Sequence, residues 1–501
     1  MLPYQGVNLT EKKLALGTIY MMIAGMVFML SNYIINIGVA HFLNTELYGL
    51  FGIVMSFNYI NWVFLNAAPL AASRFIAEAK YSFYSIYVTA LKLQAILALL
   101  FFLFYLVAAK YLAALLSDSS LVYYLLAVGI IILPNAFLTL YLDGFFNGLR
   151  LYQKRSWMNS LFSIFKVLFT FPLIFLGYKL YGVLAGYFLA MLCALLLCIT
   201  NFKVKAESPP SVSIPPVEMK KIIYFALPII IATLAFTLMK TVSVLFIKYF
   251  LQDNVPVAFF TVASTISNIP YTLLTAVPFT ILPSISKSVG ENNLTLTRKY
   301  IQQSLRYLLL LALPLTALIM ATAANLIDIF YPETYLSAGP ILEILILSFA
   351  CIIAYHTLRS VIIGAGKPQV EMYISLFSLV VLCLASWLMI PSSGTIGAAW
   401  ASLVGSALAL VVGAFYVYRK FQVLINPLSL VRIGVCSLII FILAHFWQYS
   451  GILLLLNYGL LFLFYLVLLH LFGEITAEDI TLCRNSFNRL FKKDSLRSLY
   501  R

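Results

Sequence analysis

Residues 14–40 read LALGTIYMMIAGMVFMLSNYIINIGVA, which is 27 consecutive positions without a charged side chain. A helix needs about 20 predominantly apolar residues to cross a bilayer, so this stretch predicts a membrane-spanning helix. It is too long for the apolar core of a cleaved signal peptide, and no small-residue cleavage site follows it. We therefore expect it to be retained as the first span.

The overall composition places the whole chain in the same class. Of its 501 residues, 63% are hydrophobic and only 10% are charged, whereas a soluble domain carries about 25% charged residues. This balance excludes a soluble enzyme, a nucleic-acid-binding protein and a disordered chain, despite a net charge of +15. No polar interval reaches the roughly 50 residues of a small catalytic domain. The composition predicts an all-α integral membrane protein that is not an enzyme.

Fourteen such stretches can be placed along the chain. The predicted spans are 14–40, 47–72, 84–112, 121–147, 156–177, 180–200, 222–250, 256–283, 303–325, 337–358, 370–390, 394–418, 430–448 and 451–472. Lysine and arginine concentrate in alternate connections, whereas the opposite connections hold only Lys110, Lys179 and Lys248. Since basic loops stay inside, both termini are predicted to be cytoplasmic, in a multi-pass protein of the cytoplasmic (inner) membrane.

Several sequence motifs recur at a nearly constant offset. LDGFFNG at 142–148 matches LRSVIIG at 358–364, and GVLAGYFLAMLCALLL at 182–197 matches GAAWASLVGSALALVV at 397–412. A weaker match relates Ser73 to Ser284. Repetition after six spans predicts two parallel repeats, although small-residue motifs can also recur by chance. The predicted organisation is an N-terminal six-helix lobe over 1–200, a cytoplasmic linker over 201–221, a C-terminal six-helix lobe over 222–420, an extra helix pair over 421–472 and a basic cytoplasmic tail over 473–501.

These motifs resemble the polysaccharide transporter family, the Wzx-like oligosaccharide flippases of the multidrug/oligosaccharidyl-lipid/polysaccharide (MOP) flippase superfamily. The resemblance lies in NTELYGLF at 44–51, SRFIAE at 73–78, GFFNGLR at 144–150 and GAGKP at 364–368. It implies the fold shared with multidrug exporters and peptidoglycan-precursor flippases, and a central cavity lined by the first two helices of each repeat. The exporters often carry an acid in the first span and the peptidoglycan-precursor (lipid II) flippases carry arginines in the first two. Neither feature is present here.

Polar side chains inside the spans predict where that cavity lies. Intramembrane charges cost roughly 2.5–3.5 kcal/mol each, so they usually face a cavity or a partner. Polar residues share one face of spans one, two, seven and eight. The residues predicted to line a substrate cavity are Lys240, Lys166, Lys92, Thr237, Thr241, Asn268, Asn32, Asn36, Asn58 and Asn61. Helix packing is an alternative for the polar stripes.

Two acidic residues are candidates for coupling or ion pairing. Asp143 lies about a turn from the end of span four, where it could pair with Lys166 or Lys92. Glu343 lies near the outer end of span ten, where it is either a solvated charge or a proton- or cation-coupling group.

The combined pattern predicts a flippase for a polyprenyl-diphosphate-linked oligosaccharide, since lysines suit an anionic diphosphate. The alternatives are a lipid II flippase or a cation-coupled multidrug exporter on the same scaffold. The expected partners are the lipid-linked substrate, membrane lipids and a polysaccharide polymerase or export machinery, with no nucleic acid. No cofactor or metal site is predicted: the cysteines show no CxxC spacing, and Gly366-Lys367 precedes a proline and does not form a phosphate-binding loop.

Overall fold

The structure is a computed structural model, which describes residues 11–202, 219–447 and 449–475. Most of the predicted linker and of the predicted basic tail, residues 203–218 and 476–501, lies outside the described residues. Within the described ranges the chain forms helices and no strand. The helices are α1 (Glu11–Phe42), α2 (Thr45–Leu65), α3 (Ala67–Glu78), α4 (Phe83–Leu115), α5 (Leu121–Thr139), α6 (Tyr152–Leu173), α7 (Lys179–Asn201), α8 (Met219–Leu251), α9 (Asn254–Leu274), α10 (Ala276–Gly290), α11 (Leu294–Ala321), α12 (Ala323–Phe330), α13 (Gly339–Gly364), α14 (Pro368–Phe421), α15 (Pro427–Phe446) and α16 (Ile452–Leu471).

Twelve helical stretches in the described ranges are long and apolar enough to cross a membrane. Two of them, Tyr152–Asn201 and Pro368–Phe421, contain 50 and 54 residues. At 1.5 Å per residue each would be at least about 75 Å long, more than twice the hydrocarbon thickness of about 30 Å. Both are broken, at Gly177 and Gly394. Dividing them there gives fourteen segments of spanning length, as many as the predicted spans, and the all-α membrane fold is confirmed.

The two breaks are built in the same way. Gly177 has φ of 90° and Gly394 has φ of 57°, in the left-handed region that glycine enters at little cost. The glycine that begins each matched motif then packs against the preceding helix. A Cβ on Gly182 would lie 2.9 Å from a backbone carbon of Leu173, and one on Gly397 would lie 2.2 Å from the backbone oxygen of Met389. Matched sequences therefore make matched hairpins.

A second pair of matched glycines makes equivalent contacts. A Cβ on Gly148 would lie 3.0 Å from backbone atoms of Ser73, and one on Gly364 would lie 2.9 Å from the backbone oxygen of Leu282. Ser73 and the segment beside Leu282 belong to the weakest of the three sequence matches. Two of the motifs that repeat in sequence thus touch each other in the same combination twice. The parallel arrangement of the two repeats stays a prediction.

Contacts divide the chain into two compact units: the described residues of 1–268, 330–348 and 367–409, and those of 269–329, 349–366 and 410–501. In the first unit α6 packs against α1 and α7, α5 packs against α4 and α7, and α8 packs against α2 and α3. In the second unit α11, α15 and α16 enclose an apolar core that includes Leu318, Ile440 and Tyr465. The predicted division into two six-helix lobes rests on sequence repetition and stays a prediction.

Gly397→Ala is expected to destabilise the protein by about 1–3 kcal/mol, because its Cβ would collide with backbone that cannot move aside. Its counterpart Gly182→Ala should act in the same direction. Gly434→Ala in α15 is the matched control, since nothing lies within 4 Å of the added Cβ and alanine favours a helix. The measurement is the melting temperature of the detergent-purified protein. Equal melting of Gly397→Ala and Gly434→Ala would contradict the close packing.

Candidate functional site

Lys166 is a residue of α6 that is buried where α6 packs against α1 and α7. Only 3% of its surface is exposed. Its ammonium donates a hydrogen bond of 2.5 Å to Asn32 Oδ1. It also lies 4.9, 5.7 and 5.5 Å from the ring centres of Phe28, Phe162 and Tyr187. Each ring contributes about 0.5–2 kcal/mol to a desolvated cation, which offsets part of the cost of burial. Within the described residues no carboxylate pairs with Lys166.

The predicted alternative that Asp143 pairs with Lys166 or Lys92 is wrong. Arg155 Nη2 lies 2.6 Å from Asp143 Oδ1, and Arg155 Nε lies 3.1 Å from the same oxygen. Arg155 is in the first turn of α6, directly after the short connection that follows Asp143. Lys166 is 11 residues further along α6, about 16 Å away along the axis. The acid is therefore neutralised near the helix end, and the buried lysine is left with neutral partners.

The other predicted residues of the first repeat fall in different environments. Lys92 is exposed on α4. Asn61 is 2% exposed, and its amide exchanges hydrogen bonds of 2.9 and 3.1 Å with the hydroxyl of Tyr105. Asn58 is half-buried, and half-buried Asn36 donates to a carbonyl of its own helix. Asn61 thus has the helix-packing role that was the alternative for the polar stripes.

The polar face predicted on α8 remains partly accessible. Thr237, Lys240 and Thr241 are all half-buried. The hydroxyl of Thr241 donates to the backbone oxygen of Thr237 at 3.0 Å, which leaves its lone pairs available. Asn268 on α9 is also half-buried. Helix α8 packs against α2 and α3 in the same unit. Among the predicted groups of residues, this face of α8 combines a lysine and hydroxyls with partial exposure of their side chains.

Two carboxylates differ sharply in burial. Glu343 is exposed in the first turn and a half of α13. Glu371, which the sequence analysis did not single out, is fully buried near the start of α14 and accepts a hydrogen bond of 2.8 Å from Ser375 Oγ. Its position one residue inside the predicted span 370–390 was the signal that could have identified it. A buried membrane acid of this kind is a candidate for function by default.

A further ion pair was missed because Lys248 was counted only as a charge near a helix end. Lys248 is 1% exposed, and its ammonium lies 3.0 Å from Asp118 Oδ2. Asn254 Nδ2 donates to the same oxygen at 3.0 Å, and Ser120 Oγ donates to Asp118 Oδ1 at 2.6 Å. Burial opposes ionisation of Asp118, but the hydrogen bonds from Ser120, Asn254 and Lys248 outweigh it and hold the pKa of Asp118 below its ordinary value.

Among the described residues, no group of three histidine, cysteine, aspartate or glutamate side chains is arranged to hold a metal ion.

A family model described as polysaccharide biosynthesis protein matches residues 14–289, more than half of the chain. The chain belongs to this family, and with it to the MOP flippase superfamily. A second model, described as MatE, matches residues 228–388. No curated protein matches the sequence.

Solved structures share the fold at low identity. An inward-facing multidrug resistance MATE family transporter of the MOP superfamily is 16% identical, with a TM-score of 0.67 over 81% of this chain and 98% of that one. The lipid II flippase MurJ in an inward closed conformation is 15% identical, with a TM-score of 0.67 over 90% and 98% of the two chains. A MOP superfamily transporter from Pyrococcus furiosus, described by a reverse polarity of its binding pocket, is 15% identical, with a TM-score of 0.60 over 81% and 95%.

Proposed function

We propose that this protein carries a polyprenyl-diphosphate-linked oligosaccharide from the cytoplasmic to the outer leaflet by alternating access, for the synthesis of a cell-surface polysaccharide. The observation that carries the proposal is the half-buried face of Thr237, Lys240 and Thr241 on α8. A diphosphate is an anion that only accepts hydrogen bonds. This face offers it the ammonium of Lys240 and the hydroxyl of Thr237, since the O–H of Thr241 already donates to the backbone oxygen of Thr237.

The surroundings of Asp143 and Lys166 favour an anionic substrate over a cationic one. Asp143 is neutralised by Arg155, whereas Lys166 is buried against one amide oxygen and three aromatic rings. In a medium of low dielectric constant the field of such a cation extends further than in water. We therefore assign Lys166 an electrostatic role, exerted from its buried position beside Asn32, and we assign Lys240 the direct contact with the phosphate.

The alternatives on this scaffold are a lipid II flippase and a cation-coupled multidrug exporter, the activities named for two of the structurally similar proteins. The family match supports a polysaccharide precursor in preference to both. Residues 14–40 hold no acid that could couple a cation, and the first two spans hold no arginine before Arg74. A polymerase or export complex that receives the flipped product is the partner this function requires.

Lipid analysis of a deletion strain tests the function directly. We expect a polyprenyl-diphosphate oligosaccharide to accumulate on the cytoplasmic leaflet, together with loss of the matching surface glycan, because synthesis continues while translocation stops. The chain of the accumulated lipid would identify the substrate. An unchanged lipid pool combined with altered tolerance to cationic drugs would instead establish the exporter.

Lys240→Ala is expected to lower the rate of translocation by about 10- to 100-fold, since a hydrogen bond to a charged group contributes about 1.5–3 kcal/mol. Lys240→Arg should retain part of the rate because the charge stays. Lys110→Ala is the matched control, as Lys110 is an exposed lysine near the end of α4. Each variant is compared in reconstituted vesicles at equal protein amount. Full activity of Lys240→Ala would remove this residue from the substrate site.

A further inference from the structure

The buried ion pair of Asp118 and Lys248 joins two connections that are far apart in the sequence. Asp118 lies between α4 and α5, and Lys248 lies in the last turn of α8, just before the connection to α9. Asp118 belongs to the predicted N-terminal lobe and Lys248 to the predicted C-terminal lobe, and both belong to the first compact unit. Since both connections are on the predicted outer side of the membrane, the pair ties the two predicted lobes together there.

The backbone beside the ion pair is closely packed. A Cβ on Gly49, near the start of α2, would lie 1.9 Å from the backbone oxygen of Asn254. One turn further along α2, a Cβ on Gly52 would lie 2.2 Å from Thr261 Oγ1. The side chain of the same Asn254 donates a hydrogen bond of 3.0 Å to the carboxylate of Asp118. The ion pair is therefore part of a closed contact that includes the first turns of α2 and α9.

Lys248 continues the proposed substrate face of α8. Thr241, Val244 and Lys248 follow each other at intervals of three and four residues, which places them on one side of the helix. Thr241 is half-buried, whereas Val244 is 6% exposed and Lys248 is 1% exposed. Lys240 precedes Lys248 by eight residues, about 12 Å along the helix axis. The face is thus partly accessible at Lys240 and closed about two turns further toward the predicted outer end.

The two charges of the pair depend on each other unequally. Asp118 also accepts hydrogen bonds from Ser120 Oγ and Asn254 Nδ2, and its side chain is 13% exposed. The ammonium of Lys248 has one other described contact, the backbone oxygen of Gln252 at 3.5 Å. A buried charge that loses its partner is unfavourable. If the two connections separate, Asp118 keeps two donors, whereas Lys248 needs a new anion.

We infer that Lys248 is a second binding site for the diphosphate of the substrate, where the diphosphate replaces the carboxylate of Asp118. The inference rests on the proposed function and adds the step that follows binding at Lys240. A phosphate group carries more negative charge than a carboxylate and accepts hydrogen bonds through more oxygens. It is therefore a stronger partner for the ammonium than Asp118 is.

The exchange makes the separation of the outer connections depend on the substrate. A diphosphate that takes Lys248 from Asp118 binds only where the pair is broken, so it shifts the equilibrium toward the separated arrangement. Without a substrate, Asp118 is the internal anion that holds Lys248 and keeps the contact closed. A neutral lipid has no group that can replace the carboxylate, and it leaves the contact closed as well.

The test measures how freely the carboxylate of Asp118 reacts in the full-length wild-type protein. A water-soluble carbodiimide and glycine ethyl ester convert accessible carboxylates to amides, which mass spectrometry quantifies at each position. Asp253, which is exposed in the connection from α8 to α9, is the internal reference. We expect farnesyl diphosphate to raise the modification of Asp118 relative to Asp253 about fivefold or more. Farnesol and phosphatidylglycerol should leave that ratio unchanged.

Lys248→Met is the variant that removes the exchange, and it keeps the donors of Asp118. The modification of Asp118 should then no longer respond to farnesyl diphosphate. In reconstituted vesicles the same variant is expected to slow translocation about tenfold, since the second contact with the diphosphate is lost. Lys110→Met, at an exposed lysine of α4, is the matched control and should keep both the response and the rate.

The outcomes separate the exchange from the function itself. An unchanged lipid pool in the deletion strain would reject the proposed function and the inference with it. If the lipid accumulates there, but farnesyl diphosphate leaves Asp118 unmodified in the wild type, the exchange is overturned and the function stands. The same conclusion follows if Lys248→Met responds like the wild type, or if phosphatidylglycerol acts as strongly as farnesyl diphosphate. The wild-type arm decides the question by itself should Lys248→Met fail to fold.

Discussion

Asp118→Ala is expected to lower the stability of the purified protein by about 3–5 kcal/mol, the usual cost of removing one partner from a buried ion pair. The substitution leaves the ammonium of Lys248, which is 1% exposed, without its carboxylate. The only other acceptor within the described contacts of that ammonium is the backbone oxygen of Gln252, at 3.5 Å. The unfolding of detergent-purified variants by heat and by denaturing detergent measures the effect.

The reverse substitution should be much milder, because the two partners are not equally dependent on each other. In Lys248→Met the apolar chain replaces the lysine stem, and Asp118 keeps its hydrogen bonds from Ser120 and Asn254. The side chain of Asp118 is also 13% exposed, so water can approach it. The double variant should then resemble Lys248→Met alone. A larger loss for Lys248→Met than for Asp118→Ala would contradict this order.

The pH dependence of the effect follows from the direction of the pKa shift. Because the folded-state pKa of Asp118 lies below its ordinary value of 3.8, the stability that this carboxylate contributes is complete above that value. It is lost only as the pH falls through the lower, folded-state pKa. The Asp118 carboxylate should therefore contribute a constant amount to the stability of the wild-type protein from about pH 5 to 8. A steep change inside that range would show that the pair is not formed as described.

Spans could be predicted from the sequence because a bilayer imposes a simple requirement on length and charge. The stretch 14–40 carries no charge, and the described helix α1 runs over it to Phe42. The hairpin breaks at Gly177 and Gly394 fall beside the predicted boundaries at 177–180 and 390–394. Both kinds of signal are local, since they depend on residues that are neighbours in the chain.

The partners of the polar groups could not be predicted, since they depend on contacts across the fold. Lys166 contacts Asn32 and Phe28, which lie more than a hundred positions earlier in the chain. Asp118 meets Lys248 across 130 positions. A single sequence indicates that a buried lysine needs a partner. It does not indicate which residues lie close to that lysine in the folded protein, so the partner cannot be chosen. The substrate role of the α8 face stays a prediction for the same reason.

The second large effect concerns Glu474, which follows α16 and is only 2% exposed. The end of α16 positions it. Gly473 has φ of 69°, its N–H bonds to the oxygen of His470, and the N–H of Glu474 bonds to the oxygen of Leu469 at 2.8 Å. These two bonds define a Schellman motif, which turns the chain sharply at a helix end. The turn directs the carboxylate of Glu474 inward, toward the arginines of α11 and α15.

Two arginines converge on this carboxylate. Arg306 Nε lies 2.7 Å from Glu474 Oε1, and a second nitrogen of Arg306 donates to the backbone oxygen of Glu474. Arg432 Nη1 lies 3.7 Å from Glu474 Oε2 and donates to the oxygen of Gly473 at 3.0 Å. The carboxylate thus joins α11, α15 and the end of α16, which also share an apolar core.

Glu474→Ala is therefore expected to destabilise the second compact unit by about 3–5 kcal/mol, because it brings two guanidinium groups together without the anion between them. Unfolding in denaturing detergent measures the loss, and Glu291→Ala is the matched control. Glu291 is 53% exposed and lies 4.0 Å from Lys287, a surface pair worth about 0.2–1 kcal/mol at most. Equal unfolding of the two variants would contradict the role assigned to Glu474.

Substitution of the arginines distinguishes two causes of the loss in Glu474→Ala: the missing contacts with the carboxylate, and the repulsion between the two arginines. Arg306→Met should cost more than Arg432→Met, because Arg306 is 17% exposed and makes the shorter contact, whereas Arg432 is 31% exposed. If repulsion between the stranded arginines causes most of the loss in Glu474→Ala, then Arg306→Met should restore part of the stability in that background. Simple additivity of the two losses would instead show that the contacts act independently. Restoration is the expected result, since one carboxylate is the shared partner of both cations.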